Sequence, residues 1–483
     1  MQGIDAHRPS QAAFEEVGRG NHMIAPMAVD LLVEADFIYP VDPAITVIAD
    51  GEIAIEKDRI VYCGPRRAAG SWRPKHRHGG SGFVALPGFV NCHSHTASVL
   101  FRSQTDDHVA KTALLDVAFR LEKDISNDEW ALLATLGLAD MMRAGITTIN
   151  DIWYAPERLA PLVEQAGLRA QIAHKVFDVK LENLREGDYT HYQDIGEARL
   201  AHGLDFAAQW NGAADGRITT RIGTHATDTC SEDLLKLARA EATRRGLGLH
   251  IHCAQSSAEV DAIRAAHGCG PVTYLDRIGF LGPDTVLAHL VFASDAELDL
   301  VARAHAPYAH ASTIYPRRGR YPDLPGILKR GIRTGLATDW MLNDPFEAMR
   351  YALNGSRMVA GSPQALSCEQ ALYLQTKGAA HVLGLEHEIG SLEAGKKADL
   401  ILVDVTQPHL QPYYGSTAAL VYYARASDVR TMIVDGKIIM DDRIIPGLPA
   451  DCAVPAIRNA TPGWRRQLQH YGSRAVFGDG CAC

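Results

Sequence analysis

Two pairs of histidines, each with one residue between its members, are the most chemically suggestive feature of this 483-residue chain. His93 and His95 lie in PGFVNCHSH, and His250 and His252 lie in LGLHIHCA. Side chains two positions apart on a β-strand point to the same face. The first pair can therefore turn two imidazoles toward one divalent cation, and the second pair ends another predicted strand.

Asp339 ends the apolar segment RTGLATDW, which predicts a buried strand. A buried carboxylate is costly unless it is paired or bound to a metal, although Asp339 could instead cap the following helix. With His93, His95 and His252 it would leave Zn²⁺ or Fe²⁺ one position for water. Metal binding brings the pKa of such a water to about 7, and Asp339 could accept its proton. The chemistry indicated is hydrolytic attack on an electrophilic carbon.

Eight short apolar segments that alternate with helical segments must position these residues. They are GFVNCHSH, ITTINDI, RAQIAHKV, ITTRIGTHA, LGLHIHCA, TVLAHLV, PYAHAST and RTGLATD. Most of them end in His or Asp, and barrel enzymes collect their catalytic residues at the C-terminal ends of strands. The pattern predicts a (β/α)8 TIM barrel over residues 87–393.

The two ends of the chain have a different character. VDLLVEADFIYPVD, GEIAIEKDRIVYCG and GFVALPGFVNC are β-like, and such stretches return only as KKADLILVDV and VRTMIVDGKIIMDDRII. They predict a composite β-sandwich domain from residues 27–86 and 394–446, with a C-terminal extension over 447–483. Within the barrel, Ser231 and Gly246 are predicted to bound one helix, and Ser294 with Glu297 to form a capping box for another.

Composition excludes several functional classes. Acidic residues exceed basic ones by nine and no Lys/Arg run is present, which disfavours nucleic-acid binding. The first 30 residues contain no continuous apolar region, and nowhere do 18 apolar residues run together. Nine cysteines without a C-x-x-C pair indicate free thiols. We expect a cytoplasmic protein without membrane or nucleic-acid partners.

Taken in order, the motifs resemble the amidohydrolase superfamily, in its branch of cytosine, guanine and S-adenosylhomocysteine deaminases and triazine hydrolases. PGFVNCHSH, THATDTCS, LHIHCAQS, VLAHLVFASDAEL and GLATDWMLND carry the resemblance, followed by GAAHVLGLEHEIGSLEAGKKADLILVD. It spans nearly the whole chain. It implies a barrel with a flanking β-sandwich, a small-molecule substrate, a homo-oligomer, and one divalent metal per subunit. Zinc is favoured for that metal, with iron, manganese and cobalt as alternatives.

The resemblance also implies roles for individual residues. His93 and His95 match the first-strand ligands, His252 the fifth-strand ligand and Asp339 the eighth-strand ligand. His289 matches the sixth-strand histidine, which in deaminases contacts the substrate or its attacking water. His225 falls where the branch often has a substrate-binding histidine. From the residues alone, substrate contact and a purely structural role are equally weighted for His225, His289 and His310.

Gln255 departs from the family pattern. Family deaminases usually read H-x-x-E on the fifth strand, whereas His252-Cys253-Ala254-Gln255 gives H-x-x-Q. The family's Glu shuttles protons, which an uncharged amide cannot do. Gln255 would then orient the substrate by hydrogen bonding, with Asp339 and His289 handling protons. The alternative is that Glu259 takes over the proton transfer, but its position predicts a side chain on the following helix, facing away or capping it.

Two loops are predicted to face the metal, FRSQTDDHVAK after the first strand and STIYPRRGRYPDL after the seventh. The candidates for substrate binding there and beside Asp339 are Arg102, Tyr315, Arg317, Arg318 and Trp340. A solvated arginine cluster with packed aromatic rings is an equally weighted interpretation.

The leading hypothesis is a metal-dependent amidohydrolase that cleaves a non-peptide C–N bond, or an equivalent leaving-group bond, in a small urea-like or N-heterocyclic compound. The first alternative is an aminohydrolase of a purine, pyrimidine or pterin that works despite Gln255. The second is a metal-containing binding protein in which Gln255 has impaired catalysis.

Overall fold

The computed structural model describes residues 26–42, 46–104 and 113–470. Three features discussed above therefore lie outside the described residues. These are most of the N-terminal leader, most of the loop FRSQTDDHVAK, and the tail that holds Cys481 and Cys483.

Fifteen strands within these residues form two sheets. In chain order they are β1 (Met27–Ile38), β2 (Ile48–Glu56), β3 (Arg59–Pro65), β4 (Trp72–Pro87), β5 (Phe89–Ser94), β6 (Ile146–Trp153), β7 (Arg169–Val176), β8 (Ile218–Ala226), β9 (Gly248–Cys253), β10 (Thr285–His289), β11 (Tyr308–Ala311), β12 (Thr334–Ala337), β13 (Leu400–Asp404), β14 (Val429–Val434) and β15 (Lys437–Met440).

The second sheet in chain order, β5 to β12, is the predicted barrel. Its eight strands follow one another in sequence order, and every neighbouring pair is parallel. Each of the eight segments expected to form a strand does so. The first and last strands meet through Asp339, whose N–H donates to the His93 carbonyl (3.1 Å) and whose carbonyl accepts from the His95 N–H (3.2 Å). The same three residues therefore close the barrel.

Most α-helices of the described residues alternate with or follow the barrel strands, and the last two follow β13 and β15 of the other sheet. They are α1 (Phe119–Glu122), α2 (Asn127–Arg143), α3 (Pro156–Ala166), α4 (Gln193–Trp210), α5 (Glu232–Arg245), α6 (Ser257–His267), α7 (Pro271–Arg277), α8 (Asp295–Arg303), α9 (Leu324–Lys329), α10 (Pro345–Ala360), α11 (Cys368–Gln375), α12 (Lys377–Leu383), α13 (Thr417–Tyr423) and α14 (Ala450–His470).

The predicted helix ends are present. Ser231 accepts a hydrogen bond from the Leu234 N–H, and Gly246 ends α5 in the left-handed region at φ +66°. Ser294 and Glu297 form a reciprocal capping box at the start of α8.

The remaining strands form one mixed sheet in the order β15-β14-β13-β4-β1-β2-β3. Both chain ends contribute to it, because β4 pairs with β1 on one side and with β13 on the other. GEIAIEKDRIVYCG, read as a single stretch, folds as the hairpin of β2 and β3. The polar first half of β4, WRPKHRHGGS, lacks the apolar alternation that predicts a strand. The fold class, a barrel with a flanking β unit from both chain ends, is confirmed.

A buried ionic cluster joins the two sheets. Arg169, at the start of β7, contacts Asp399 at 2.9 Å and Asp435 at 2.5 Å, and all three side chains are at most 8% exposed. In the C-terminal extension, Trp464 of α14 donates from Nε1 to Glu129 of α2 (2.8 Å). Among the helices in the described ranges, none has the length and apolar character needed to cross a bilayer.

Candidate metal centre and active-site cavity

Two barrel strands bring three imidazoles together. His93 and His95 come from β5 and His252 from β9, and all three are buried. Ligand nitrogens of the three rings lie within 4.8 Å of one another, and the Nε2 atoms of His95 and His252 are 3.2 Å apart. The period-two alternation predicted for the first pair is what turns both rings to one side.

Asp339 completes the cluster from the end of β12. Its Oδ1 is 3.3 Å from His93 Nε2 and 3.4 Å from His95 Nε2. The backbone of Asp339 is left-handed at φ +58°, an unfavourable conformation for a residue with a side chain. The two backbone bonds across the barrel seam hold it there, so the carboxylate is positioned by the closure of the sheet.

Hydrogen bonds fix which ring nitrogen of each histidine is free. His95 donates from Nδ1 to the Ile152 carbonyl (2.7 Å), and His252 donates from Nδ1 to the His225 carbonyl. A neutral imidazole whose Nδ1 donates carries its lone pair on Nε2. His93 Nδ1 contacts Nε2 of the buried His250 at 2.8 Å. The partners of all three rings thus suit Nε2 for metal binding.

Three of the separations between ligand atoms in the cluster match the spacing expected around a zinc ion. Ligands about 2.0–2.1 Å from a tetrahedral Zn²⁺ lie about 3.3 Å from one another. The 3.2, 3.3 and 3.4 Å separations given above match this spacing. The buried Nε2 of His93 also has no hydrogen-bond partner among the described residues. Three imidazoles and a carboxylate are a donor set that Zn²⁺ and Fe²⁺ accept, so the residues present fit a divalent metal.

Burial keeps these rings neutral. Desolvation, reinforced by the neighbouring histidines, lowers the pKa of His95, His252 and His289 well below the usual value. A neutral imidazole is the form that binds a metal. His95 and His252 can therefore accept a cation at neutral pH without first losing a proton.

His289 stands beside this cluster at the end of β10. Its ring stacks on His252 with centroids 5.2 Å apart, and its Nδ1 is buried without a hydrogen-bond partner in the described part of the chain. Its ligand nitrogen lies within 4.8 Å of the ligand nitrogen of His93 and of the ligand oxygen of Asp339. It can contact either a bound cation or a molecule beside one.

A cavity of about 510 Å³, open to solvent, lies against the cluster. Among the residues predicted to bind or process a substrate, His225, Gln255, His289, Tyr315, Arg318, Asp339 and Trp340 line it. His225 is held by the Thr229 hydroxyl on Nδ1 (2.8 Å). The Tyr315 ring packs edge-on against His289, with centroids 5.3 Å apart. The structure thus brings most of the predicted substrate-contacting residues to one cavity.

Arg102 and His310 were both predicted from the sequence to bind a substrate, but neither lines this cavity. The Arg102 guanidinium binds Asp140 (2.5 Å) and the Met341 carbonyl (2.8 Å). Both ring nitrogens of His310 are engaged, by the hydroxyls of Tyr308 and Tyr321 at 2.8 Å each. Their side chains have structural partners instead. Arg317 is likewise absent from the cavity lining.

Glu259 has the capping position expected of it. It lies in the first turn of α6, fully buried, and accepts from the backbone N–H groups of Ala254 (3.1 Å) and Gln255 (2.7 Å) and from the Thr227 hydroxyl (2.5 Å). Burial raises its pKa to about 8. It does not line the cavity but holds the backbone of Gln255, which does line it.

Four polar or charged residues of the cavity were not predicted from the sequence: Glu122, Trp153, Lys175 and Ser256. Lys175 carried a usable signal, because a lysine inside the apolar strand RAQIAHKV is rare without a partner. Trp153 directly follows the predicted strand ITTINDI. Glu122 had no such signal, since it lies on a short helix far from any motif.

Comparison with known proteins identifies the family and the relatives of this chain. The profile of the amidohydrolase family matches residues 84–439. A 5-methylthioadenosine/S-adenosylhomocysteine deaminase of Pelotomaculum thermopropionicum is 34% identical over 426 residues, which cover 87% of this chain and 95% of the relative. A 5'-deoxyadenosine deaminase of Methanosarcina acetivorans is also 34% identical, with 86% of this chain and 93% of the relative covered.

Solved structures share the fold at lower identity. An adenosine deaminase from Xanthomonas campestris with bound zinc superposes with a TM-score of 0.83 at 24% identity, covering 92% of this chain and all of that one. Atrazine chlorohydrolase from Arthrobacter aurescens, complexed with zinc, gives 0.80 at 20% identity, covering 89% and 100%.

These matches confirm the branch to which the motifs were assigned and the prediction of a hydrolase acting on carbon–nitrogen bonds other than peptide bonds. The roles of individual site residues stay predictions. Family membership rests on a profile that matches most of the chain and on relatives aligned over nearly their full length. By both measures, the chain belongs to the amidohydrolase family.

Proposed function

We propose that this protein hydrolyses a C–N bond at a ring carbon of a small planar N-heterocycle. His93, His95, His252 and Asp339 would hold one divalent ion, for which zinc is the first candidate. The observation that carries the proposal is the spacing of three pairs of ligand atoms: 3.2 Å between the Nε2 atoms of His95 and His252, and 3.3 and 3.4 Å from Asp339 Oδ1 to the Nε2 atoms of His93 and His95. A divalent ion held there would lower the pKa of a bound water to about 7 and so supply a nucleophile at neutral pH.

The chain's own residues then divide the remaining work. Asp339 Oδ1 faces the cluster and the cavity, so it accepts the proton of the attacking water and passes it to the leaving group. His289 is neutral and has an unpartnered ring nitrogen, which binds the oxygen that forms on the attacked carbon. The rings of Trp340 and Tyr315 exclude water from the reacting carbon.

We assign Gln255 a hydrogen-bonding role toward the ring of the substrate. Its backbone is fixed by Glu259 (2.7 Å), and its side chain lines the cavity, so the amide can hold a ring nitrogen or carbonyl. It cannot carry a proton. Proton transfer to the leaving group therefore falls to Asp339 alone.

The relatives suggest where to begin the substrate search. The two relatives named above are deaminases of 5-methylthioadenosine/S-adenosylhomocysteine and of 5'-deoxyadenosine, so an exocyclic amine on a purine-like ring is our first candidate leaving group. A second candidate is a leaving group other than ammonia. Gln255 favours it, because a leaving group that is a weaker base than ammonia can depart without being protonated by a carboxylate at that position. Homo-oligomerisation, a cytoplasmic location and the domain boundaries given above remain predictions.

The test is substrate turnover after defined metal loading. Protein stripped by a chelator and reconstituted with Zn²⁺ would be assayed for ammonia release from 5-methylthioadenosine, S-adenosylhomocysteine, 5'-deoxyadenosine and free purines, pyrimidines and pterins. A parallel panel of ureas, carbamates and chlorotriazines would be followed by release of amine or chloride. We expect turnover that disappears in the stripped protein and returns with metal.

Asp339→Asn provides the decisive variant. Loss of a positioned proton acceptor costs about 10²–10⁴ in rate, and we expect a loss in that range with the fold retained. Asp344→Asn is the matched control, because Asp344 caps α10 only five positions away and does not line the cavity. Full turnover by Asp339→Asn, or purified protein that binds no transition metal, would refute the proposal.

A further inference from the structure

One cation in the wall of the active-site cavity has no counterion among the described residues. Arg318 lines this cavity, and the buried Nη2 atom of its guanidinium has no hydrogen-bond partner in the described ranges. No ion pair joins Arg318 to a carboxylate of those ranges either. Arginine stays protonated in proteins, and a buried charge without a partner is costly. The buried Nη2 atom therefore distinguishes Arg318 from an ordinary solvated arginine, and a bound anion would remove this cost.

The other charged groups of the cavity wall already have partners. Glu122 and Lys175 form a buried ion pair at 3.1 Å, and Asp339 Oδ1 lies 3.3 Å from His93 Nε2 in the candidate metal centre. Among the described lining residues, Arg318 is thus the cation left without a carboxylate. A positive charge in a cavity with walls of low dielectric concentrates anions there. The charge of the wall therefore favours an anionic ligand over a neutral one.

The turn that carries Arg318 is fixed beside the candidate metal centre. Arg318 ends a short 3-10 turn after β11, and its N–H donates to the Tyr315 carbonyl (2.9 Å). The Tyr315 ring packs on His289, and His289 stacks on His252 of the centre, with centroids 5.3 and 5.2 Å apart. Burial and the Asp339 charge raise the pKa of Tyr315, whereas the Arg318 charge opposes this rise. Both charges therefore act at Tyr315, between the turn and the centre.

We propose that Arg318 is a specificity-determining residue that binds an oxyanion carried by the substrate ring. A guanidinium pairs both oxygens of a carboxylate through its planar fork of N–H groups, so a carboxylate on the ring is the first candidate. An ionised ring oxygen presents the same chemistry, and binding assays separate the two sources. This inference rests on the proposed function and deepens it, because it names anionic N-heterocycles as the substrate class.

The position of the turn favours an anion on the ring itself over one at the end of a long substituent. In the proposed function the reacting carbon lies at the metal centre, where His289 stacks on His252. Tyr315 packs directly against His289 and is the residue from which the turn of Arg318 begins. A short substituent of the reacting ring is therefore enough to reach Arg318.

Binding assays on zinc-loaded protein test for this preference. Cytosine-5-carboxylate carries a carboxylate on the ring, and its carboxamide is a neutral analogue of the same shape. Barbiturate carries an ionised ring oxygen at neutral pH, and uracil is its neutral counterpart. Calorimetric titration gives a dissociation constant for each compound. We expect the carboxylate to bind about 10- to 100-fold more tightly than the carboxamide, the range expected for hydrogen bonds to a charged group.

Variants of the turn test whether Arg318 causes the preference. Arg318→Met removes the charge and keeps an apolar stem, so we expect it to bind carboxylate and carboxamide within threefold of each other. Its binding of the carboxamide should stay unchanged, which also shows that the variant is folded. Arg318→Lys keeps the charge without the fork and should retain part of the preference. Arg320→Met is the matched control, because Arg320 is an exposed arginine two positions away that does not line the cavity.

The outcomes separate the role of Arg318 from the proposed function. A preference for the anion in either pair that is lost in Arg318→Met and kept in Arg320→Met would support the role and identify the source of the charge. Absence of binding or of any preference, a preference that survives in Arg318→Met, or an equal loss in Arg320→Met would overturn it. A preference for the anion without hydrolysis of any panel compound would leave this role standing and overturn the proposed function. Turnover of neutral panel compounds without a preference for the anion would do the reverse.

Discussion

Replacing His250 with Phe tests whether the surroundings of the cluster prepare it for a metal. His250 is fully buried behind the cluster, and its Nε2 contacts His93 Nδ1 at 2.8 Å. If His93 binds a cation through Nε2, its proton lies on Nδ1 and is donated to His250. Phe fills a similar volume but accepts no hydrogen bond. The His93 ring would then keep its packing and lose the contact that fixes its orientation.

The expected size of the effect follows from two separate arguments. Loss of a partner that orients a metal ligand typically lowers metal affinity about 10- to 100-fold. Leaving the buried His93 Nδ1–H without an acceptor costs about 1–3 kcal/mol, and 1.4 kcal/mol corresponds to a factor of ten. Both arguments give a similar range. We therefore expect His250→Phe to bind Zn²⁺ about 10- to 100-fold more weakly than the unaltered protein.

Competition with a chromophoric chelator measures this affinity directly. His174→Phe is the control, because His174 is a buried barrel histidine that stacks on His202 (4.5 Å) and does not line the cavity. It should leave zinc affinity unchanged. A His250→Phe variant that is folded and binds Zn²⁺ within threefold of the unaltered protein would refute the reasoning, as would an equal loss in the control.

Three further predictions concern other parts of the structure. Burial lowers the pKa of His310 to about 3 from about 6.5 in the unfolded chain, so the unfolded state binds the extra proton and stability falls as the pH drops from about 6.5 toward 3. In urea titrations at several pH values, His310→Asn should reduce the dependence of the unfolding free energy on pH by up to about 1.4 kcal/mol per pH unit, and an unchanged dependence would contradict the prediction. Arg169→Met leaves the buried Asp399 without its cation and leaves Asp435 with only Lys397, at 3.6 Å, so it should lower the free energy of unfolding by about 3–5 kcal/mol, with zinc content per folded molecule retained. A loss below about 1 kcal/mol would show that the cluster does not stabilise the junction of the two sheets. Glu259→Gln should keep turnover within about threefold at pH 7, because a carboxyl with a pKa of about 8 is already mostly protonated there; a loss near that of Asp339→Asn would make Glu259 the proton carrier.

The fold and the centre of the site were predictable because they depend on local periodicity. A one-residue gap on a strand places His93 and His95 on the same face, and a strand that ends in Asp places Asp339 at the same end of the barrel. Both rules act within a few residues, so the sequence displays them. Local periodicity does not show which distant segments lie next to each other. The order of the motifs, which resembles that of a known family, supplied this information.

Side-chain direction at the cavity wall was not predictable in the same way. His310 ends a strand like the others, but β11 has only four residues, and its ring lies between two tyrosine hydroxyls instead of facing the cavity. The Arg102 side chain is held by Asp140, which lies on α2. Glu122 reaches the wall only because Lys175 and Tyr154 fix it there. Each of these contacts depends on packing between segments far apart in the chain.

The seam between β5 and β12 sets an order of events during synthesis. His93 leaves the ribosome early, whereas Asp339, which joins it across the seam, follows after almost the whole barrel. Until that last strand docks, the nascent chain offers histidines without their carboxylate and a sheet with two open edges. If these residues hold an ion as proposed, the complete ligand set exists only after translation of the barrel is finished, and a chain truncated before β12 should lack both the closed barrel and the carboxylate ligand.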